Sequence, residues 1–293
     1  MPACLQPRYG MGPTGIDNPM KRIFIAYADG SMAYSLKRIG RQARRLKFFD
    51  EVILYTPDDL SDELKAHPLM QHSRGGGYWI WKPWLIKKTL DEHAQGDIVV
   101  YADAGCTLRR SPEWDRLFKL MDEYDTICFQ YAKIVPDFKK WGNDSTRIKY
   151  WTKKQTLLFL DEYFHDTAYR DHCKIWGGLM FVKNRDNSLV RDWLDISLNH
   201  PELIVDPTPE ERKDQEPGFA FHKHDQSIIT PLTYYDRTVS IQPEVSENYS
   251  PDSFVWASRC RAKGFGDYFL WSVKTHIRLT LGDKFVNRAK KLF

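Results

Sequence analysis

Tyr101-Ala-Asp-Ala-Gly-Cys106 sets a carboxylate, Asp103, directly behind a short apolar run. A carboxylate closing a buried strand can bind a hard cation that carries phosphates, or it can cap the next turn. Gly105 permits close backbone approach by a ligand, or simple turn geometry. Upstream, Tyr78-Trp-Ile-Trp-Lys-Pro83 follows a hinge of three glycines. The rings of Tyr78, Trp79 and Trp81 suit stacking on apolar sugar faces, and Lys82 suits a phosphate; core packing is the competing use for each Trp. Phe221-His-Lys-His-Asp-Gln-Ser227 gathers polar residues at a helix start, where Asp225 and Gln226 suit catalysis or capping. His222 and His224 alternate, but no further ligands lie at zinc spacing. Ser258-Arg-Cys-Arg-Ala-Lys263 packs Arg259, Arg261 and Lys263 into five residues, a solvated face or a clamp for a diphosphate.

The elements that must position these residues follow from apolar periodicity. Ile23–Tyr27, Val52–Tyr55, Asp97–Tyr101, Thr126–Tyr131 and Leu179–Val182 read as strands. Met32, Leu36, Ile39, Ala43 and Leu46 recur at helical spacing, as do Trp114, Leu117, Phe118 and Met121 behind the cap Ser111-Pro112. Pro83 suits the first turn of a helix reaching about Glu92. Thr152 and Gln155 predict a capping box for a helix to about Tyr163, and Leu189–Leu198 reads as a further helix. Strands alternating with helices imply a mostly parallel α/β sheet flanked by helices. Ligands of such sheets sit beyond the carboxyl ends of the strands, which singles out Asp29, Thr56 and Asp103.

Composition narrows the class. With 293 residues, 42% hydrophobic and 28% charged, the chain is neither disordered nor fibrous. Five cysteines without a Cys-x-x-Cys pair fit reduced thiols and a cytoplasmic location. No apolar run approaches the roughly 18 residues of a membrane span, and residues 1–20 read as an irregular leader lacking a signal-peptide core. Met20 is an alternative start. The net charge of +4 hides an asymmetry: Arg259–Phe293 holds nine Lys/Arg against two Asp. The rest is mildly acidic, which argues against nucleic acid as partner. Leu270, Val273, Ile277 and Leu281 form an apolar stripe among basic residues, so 264–293 is expected to be a basic amphipathic tail that docks on an anionic membrane.

Taken in order, four segments resemble bacterial nucleotide-sugar glycosyltransferases of the GT-A type that build capsule, O-antigen or lipooligosaccharide. Ile25-Ala-Tyr-Ala-Asp29 is similar to their first strand and nucleotide-contacting loop, which implicates Ala28 and Asp29. The Gly-Tyr-Trp-Ile-Trp-Lys-Pro and Tyr-Ala-Asp-Ala-Gly-Cys segments resemble the region around the metal-binding Asp-x-Asp. Trp176-Gly-Gly-Leu-Met-Phe-Val-Lys-Asn184 resembles the Asn-Ala-Gly strand of glycogenin-like and lipooligosaccharide galactosyltransferases, and His224-Asp-Gln-Ser227 their Asp-Gln helix start. The resemblance spans about 21–263, divided into a nucleotide-binding half (21–131) and an acceptor half (132–263). It implies a nucleoside diphosphate-sugar donor such as a UDP-sugar, a glycan or lipid-linked acceptor, and Mn2+ or Mg2+ at Asp103. Lys82, Arg259, Arg261 and Lys263 would then meet the diphosphate, and Asp225 with Gln226 the reacting sugar. Gly105 replaces the second acid of Asp-x-Asp, so another ligand or a water must complete the metal shell. Trp176 stands where those enzymes carry Asn; it joins Tyr78, Trp79 and Trp81 as a candidate for sugar stacking.

Two rival readings differ in kind. A sugar-nucleotide pyrophosphorylase usually carries a Gly-rich basic loop after its first strand, whereas Ala28-Asp29-Gly30-Ser31 is acidic. A non-catalytic glycan- or RNA-binding protein would use the aromatics as stacking platforms.

Overall fold

Short apolar runs bounded by turn residues become strands whose two faces are both covered. In β1 (Arg22–Tyr27) Phe24 and Ala26 enter one hydrophobic core, while Ile23, Ile25 and Tyr27 enter another on the opposite face. Successive strand residues point to opposite sides, so one sheet separates two cores. The structure is a computed structural model and describes residues 20–281 apart from 248 and 251.

The chain continues through α1 (Ala33–Leu46), β2 (Glu51–Tyr55), α2 (Asp62–Ala66), a short turn α3 (Gly75–Tyr78) and α4 (Trp81–Glu92). Next come β3 (Ile98–Ala102), β4 (Thr107–Leu108), α5 (Glu113–Leu120), β5 (Thr126–Gln130) and α6 (Lys154–Phe164). The remaining elements are β6 (Ile175–Lys183), α7 (Ser188–Asn199), α8 (Asp225–Tyr235), β7 (Val239–Pro243), β8 (Val255–Trp256) and α9 (Phe265–Leu281). Six strands form the main sheet in the order β2-β1-β3-β6-β5-β7, and β4 pairs with β8 apart from it. All neighbours in the sheet are parallel except β6, which runs antiparallel to both β3 and β5. The mostly parallel α/β sheet expected from the sequence is therefore present. Both expected halves contribute to this one sheet, since β6 of the second lies between β3 and β5 of the first.

Three local expectations need correction. β6 begins at Ile175, four residues earlier than its apolar run suggests, and carries Trp176, Gly177 and Gly178 inside the sheet. Val239–Pro243, a strand not expected from the sequence, pairs parallel with β5 and forms the sheet's edge. The capping box at Thr152 and Gln155 does not form. α6 starts behind Lys153, and its first amides find tertiary partners instead: Lys153 N donates to His222 Nδ1 and Lys154 N to Gln215 Oε1. The Thr152 hydroxyl is left buried without a hydrogen-bond partner among the described residues.

Among the described residues no helix is long and apolar enough to cross a membrane. The expected leader, Cys4 and the tail from 282 onward lie outside the described residues. Cys106, Cys128, Cys173 and Cys260 are free thiols.

Candidate active site

Residues far apart in sequence meet where β3 ends. Lys82, in the first turn of α4, donates from Nζ to the Gly177 carbonyl at 2.8 Å and to Asp225 Oδ2 at 2.9 Å. The same nitrogen lies 3.4 Å from Asp103 Oδ1. Three acceptors match the three protons of an ammonium. Tyr101 donates its hydroxyl to Asp103 Oδ1 as well, steering that carboxylate toward Lys82. The side chains of Lys82, Asp225 and Asp103 are 3%, 9% and 42% exposed, so the cluster is closed on the α8 side and opens to solvent at Asp103. Burial works against the Lys82 ammonium, but the charges of Asp103 and Asp225 outweigh it and raise its pKa above the ordinary lysine value.

Gly177 makes this convergence sterically feasible. A Cβ there would stand 3.0 Å from Asp225 Oδ2 and 3.5 Å from Lys82 Nζ, in the space the ion pair needs. Beside it, Gln226 is held by its backbone N–H, which donates to Asp225 Oδ1 and to the Lys223 carbonyl. Its side-chain Oε1 is buried without a hydrogen-bond partner among the described residues. A buried acceptor left open in this way favours a ligand that brings a hydroxyl donor.

The glycines ahead of α4 serve a purpose that spacing alone does not reveal. Gly75, Gly76, Gly77, Tyr78 and Trp79 all have positive φ, at +61°, +58°, +97°, +51° and +63°. The chain makes one left-handed turn, closed by Tyr78 N to Arg74 O and Trp79 N to Gly75 O. Left-handed backbone costs about 1–2 kcal/mol for each non-glycine residue, so three glycines lead and tertiary contacts hold the two aromatics. Tyr78 donates its hydroxyl to Asp206, Trp79 stacks on His224, and the Trp81 indole N–H donates to Gly75 O. The turn delivers Lys82 to the sheet edge and faces Asp29, whose Oδ2 is 4.0 Å from a Cβ built on Gly76. Asp29 itself caps the turn after β1 by accepting from Ser31 N, and Ala28 continues β1 by bonding Tyr55 O.

A C-terminal strap completes the site. Arg38 of α1, buried, donates to the Ala104 and Cys106 carbonyls and fixes the loop that carries Asp103. Over the same loop runs 258–262: Cys260 N and Ser258 Oγ both donate to Gly105 O. The open space expected at Gly105 is taken by this strap, because a Cβ there would lie 3.5 Å from Arg259 Cα and from Cys260 O. Ala262 O then accepts from Tyr34 N and Ser35 N, which closes the first turn of α1.

The other residues nominated from the sequence separate by their surroundings. Trp81 and Trp176 are buried, the first against Tyr27 and Tyr101, the second against Phe129 and over Gly178. Their rings pack in the core and leave no face for a sugar. Tyr78 is also buried, and Trp79 is half-buried on His224. Lys82 spends its ammonium inside the protein and not on an open surface. Arg259 holds both carboxylate oxygens of Glu247, while Arg261 and Lys263 are exposed on the strap.

Two lysines escape the reading of motifs. Lys223 forms no ion pair among the described residues and lies over the rings of Phe221, Trp141 and Trp151. Burial lowers its pKa to about 8, against the pull of Asp225. Its place two residues before Asp225 is the available signal. Lys174 has nothing comparable: its nitrogen sits 4.0–4.5 Å from the ring centroids of Phe138, Trp151 and Tyr131, residues scattered along the chain. Burial, helped by Lys223, lowers Lys174 to about 6. The unfolded chain keeps that proton to about pH 10, so between pH 6 and 10 it binds more protons than the folded one, and stability rises with pH. Lys174→Met should remove up to about 1.4 kcal/mol per pH unit from that slope. Urea melts at about pH 6.5 and 9 measure it; parallel curves for variant and parent would show that Lys174 carries no such linkage.

Protein side chains alone do not complete a shell for a divalent cation at Asp103. Among the described residues, no three His, Cys, Asp or Glu side chains are grouped as a metal would need. Asp103 Oδ1 is shared by Tyr101 and Lys82, which leaves one carboxylate oxygen beside an ammonium.

No protein-family model matches the chain, and no curated protein matches it. Solved structures similar to it include the galactosyltransferase LgtC in complex with donor and acceptor sugar analogs, at 12% identity and a TM-score of 0.37, covering 75% of this chain and 72% of that one. A glycosyltransferase involved in glycosylation of the major capsid of PBCV-1 is similar at 8% identity and a TM-score of 0.41, covering 77% and 83%. Mouse xyloside xylosyltransferase 1 is similar at 12% identity and a TM-score of 0.41, covering 76% and 85%.

Proposed function

We propose that this chain is a glycosyltransferase that moves a sugar from a nucleoside diphosphate-sugar to a hydroxyl of a glycan or lipid-linked acceptor in the cytoplasm. The observation that carries the reading is the buried Lys82–Asp225 pair, joined to Asp103 at the carboxyl edge of the sheet, with the open acceptor Gln226 Oε1 beside it. Asp29 and the left-handed turn stand on the same edge, where a nucleotide is expected in an α/β sheet. The bond from the anomeric carbon to the phosphate oxygen breaks, and its electron pair leaves with the diphosphate. Lys223, Arg261 and Lys263, which form no ion pair among the described residues, are the cations that suit this departing charge. The acceptor oxygen forms the new bond to the anomeric carbon. Asp225 takes its proton in an inverting reaction, or supports the reacting sugar in a retaining one. Gln226 orients a sugar hydroxyl without adding charge. Asp103, partly exposed and engaged by Tyr101 and Lys82 through Oδ1, would hold a divalent cation together with the diphosphate and water, and that cation would offset the departing charge.

Incubation with a panel of UDP-, GDP- and CMP-sugars, with and without chelator, tests this. Slow release of free nucleotide from one donor is the expected result, and the anomeric configuration of the product separates the two routes. No turnover of any donor, with glycan binding intact, would replace the reading by a binding module.

A further inference from the structure

Away from this edge, the outward face of α1 is basic without relief. Its sequence, AYSLKRIGRQARRL, holds no acidic residue. Lys37, Arg41, Arg44 and Arg45 are exposed, and none forms an ion pair among the described residues. Tyr34, Lys37, Arg41 and Arg44 line a groove of about 310 Å³ together with Leu54. Against α1 lies α9, attached by Tyr268 on Tyr34 at 5.2 Å and by Trp271, whose indole N–H donates to Ser258 O. The opposite side of α9 is apolar: Phe265, Phe269, Leu270 and Val273 are 65%, 57%, 59% and 40% exposed. Tyr34 links the two features, with Phe265 at 6.1 Å on one side and Arg41 over its ring at 5.3 Å on the other. A surface helix normally turns its polar side to water; this one does the reverse.

We propose that α1 and α9 form one face that docks on an anionic lipid bilayer. The groove on α1 takes headgroup phosphates, and Phe265, Phe269, Leu270 and Val273 enter the acyl boundary. Charge selects this occupant over a second copy of the chain. Lys37, Arg41, Arg44 and Arg45 stand exposed on α1 with no acidic residue in that helix, so two such faces would bring like charges together. Phosphates satisfy the unpaired cations, and the acyl boundary covers the apolar stripe. The inference does not depend on sugar transfer.

Co-sedimentation of the full chain with phosphatidylglycerol and with phosphatidylcholine vesicles tests it. Binding is expected only to the anionic vesicles, and weaker at high salt. The triple variant Lys37→Gln/Arg41→Gln/Arg44→Gln should bind about a hundredfold more weakly, at about 1 kcal/mol per charge removed. Phe269→Ser/Leu270→Ser should also weaken binding, with an unchanged melting temperature. Equal binding by the triple variant and the parent overturns the proposal. So does a dimer in sedimentation equilibrium that Phe269→Ser/Leu270→Ser dissociates while the parent ignores anionic vesicles.

Discussion

Lys82→Met should remove about 3–5 kcal/mol of folding stability, the usual effect of deleting one partner of a buried ion pair. Met is close to Lys in length, so the loss comes from charge and not from a cavity. Two carboxylates then face each other beside the Gly177 carbonyl, which loses its donor as well. Most of the cost falls on Asp225, because Asp103 is partly exposed and regains water. Adding Asp225→Asn to Lys82→Met should return at least half of the loss. While Asp103 and Asp225 are ionised, wild type should hold the contribution of Lys82 below the ordinary lysine value and lose it as the pH rises through the raised value in the folded state. Denaturant melts of the single and double variants decide the matter. A single variant less than about 1 kcal/mol below wild type would mean the pair is not part of the fold's support.

Asp225→Asn alone should lower the turnover number by about a hundredfold or more, as loss of an acid–base group does. The fold has reasons to survive it. Asn keeps one acceptor oxygen for Lys82 and gives up the bond from Gln226 N, whose backbone N–H still donates to the Lys223 carbonyl, and Asp103 remains as a counter-charge for the ammonium. A role confined to capping α8 would instead give a stability loss of about 0.5–2 kcal/mol with turnover intact. Steady-state kinetics alongside a thermal melt separate the two. Near-normal turnover in a folded variant would leave the proposed reaction without its carboxylate.

How much of this is legible in the sequence depends on distance along the chain. β1, α1, β2, α4, β3 and α5 follow from local apolar period and turn residues, and all six form where that period places them. β6 reads short because Trp176-Gly-Gly does not alternate, and its antiparallel course is decided by neighbours 45 or more residues upstream. Asp103 and Asp225 can be nominated from their positions at a strand end and a helix start. That Lys82 joins them cannot, because Lys82 and Asp225 are 143 residues apart and a lysine before a proline looks ready for a phosphate. Trp81 and Trp176 show the opposite failure: a ring that suits a sugar in sequence is also the ring that best fills a core. The five consecutive left-handed residues carry one signal, the three glycines, which read as a hinge but form a fixed turn.

The bond between Ser35 and Ala262 spans 227 residues. α1 is the first long helix among the described residues, yet the carbonyl that closes its first turn is made some 227 residues later. At about 5–20 residues per second, the ribosome needs on the order of 10–45 s to travel between them. During that time the loop carrying Asp103 lacks the strap that later covers Gly105. A nascent chain therefore holds sheet, helix and both carboxylates before it holds a finished site. Completion of the candidate site waits for the strap, and a message cut short just before Ser258 yields a protein missing the clasp over the loop of Asp103.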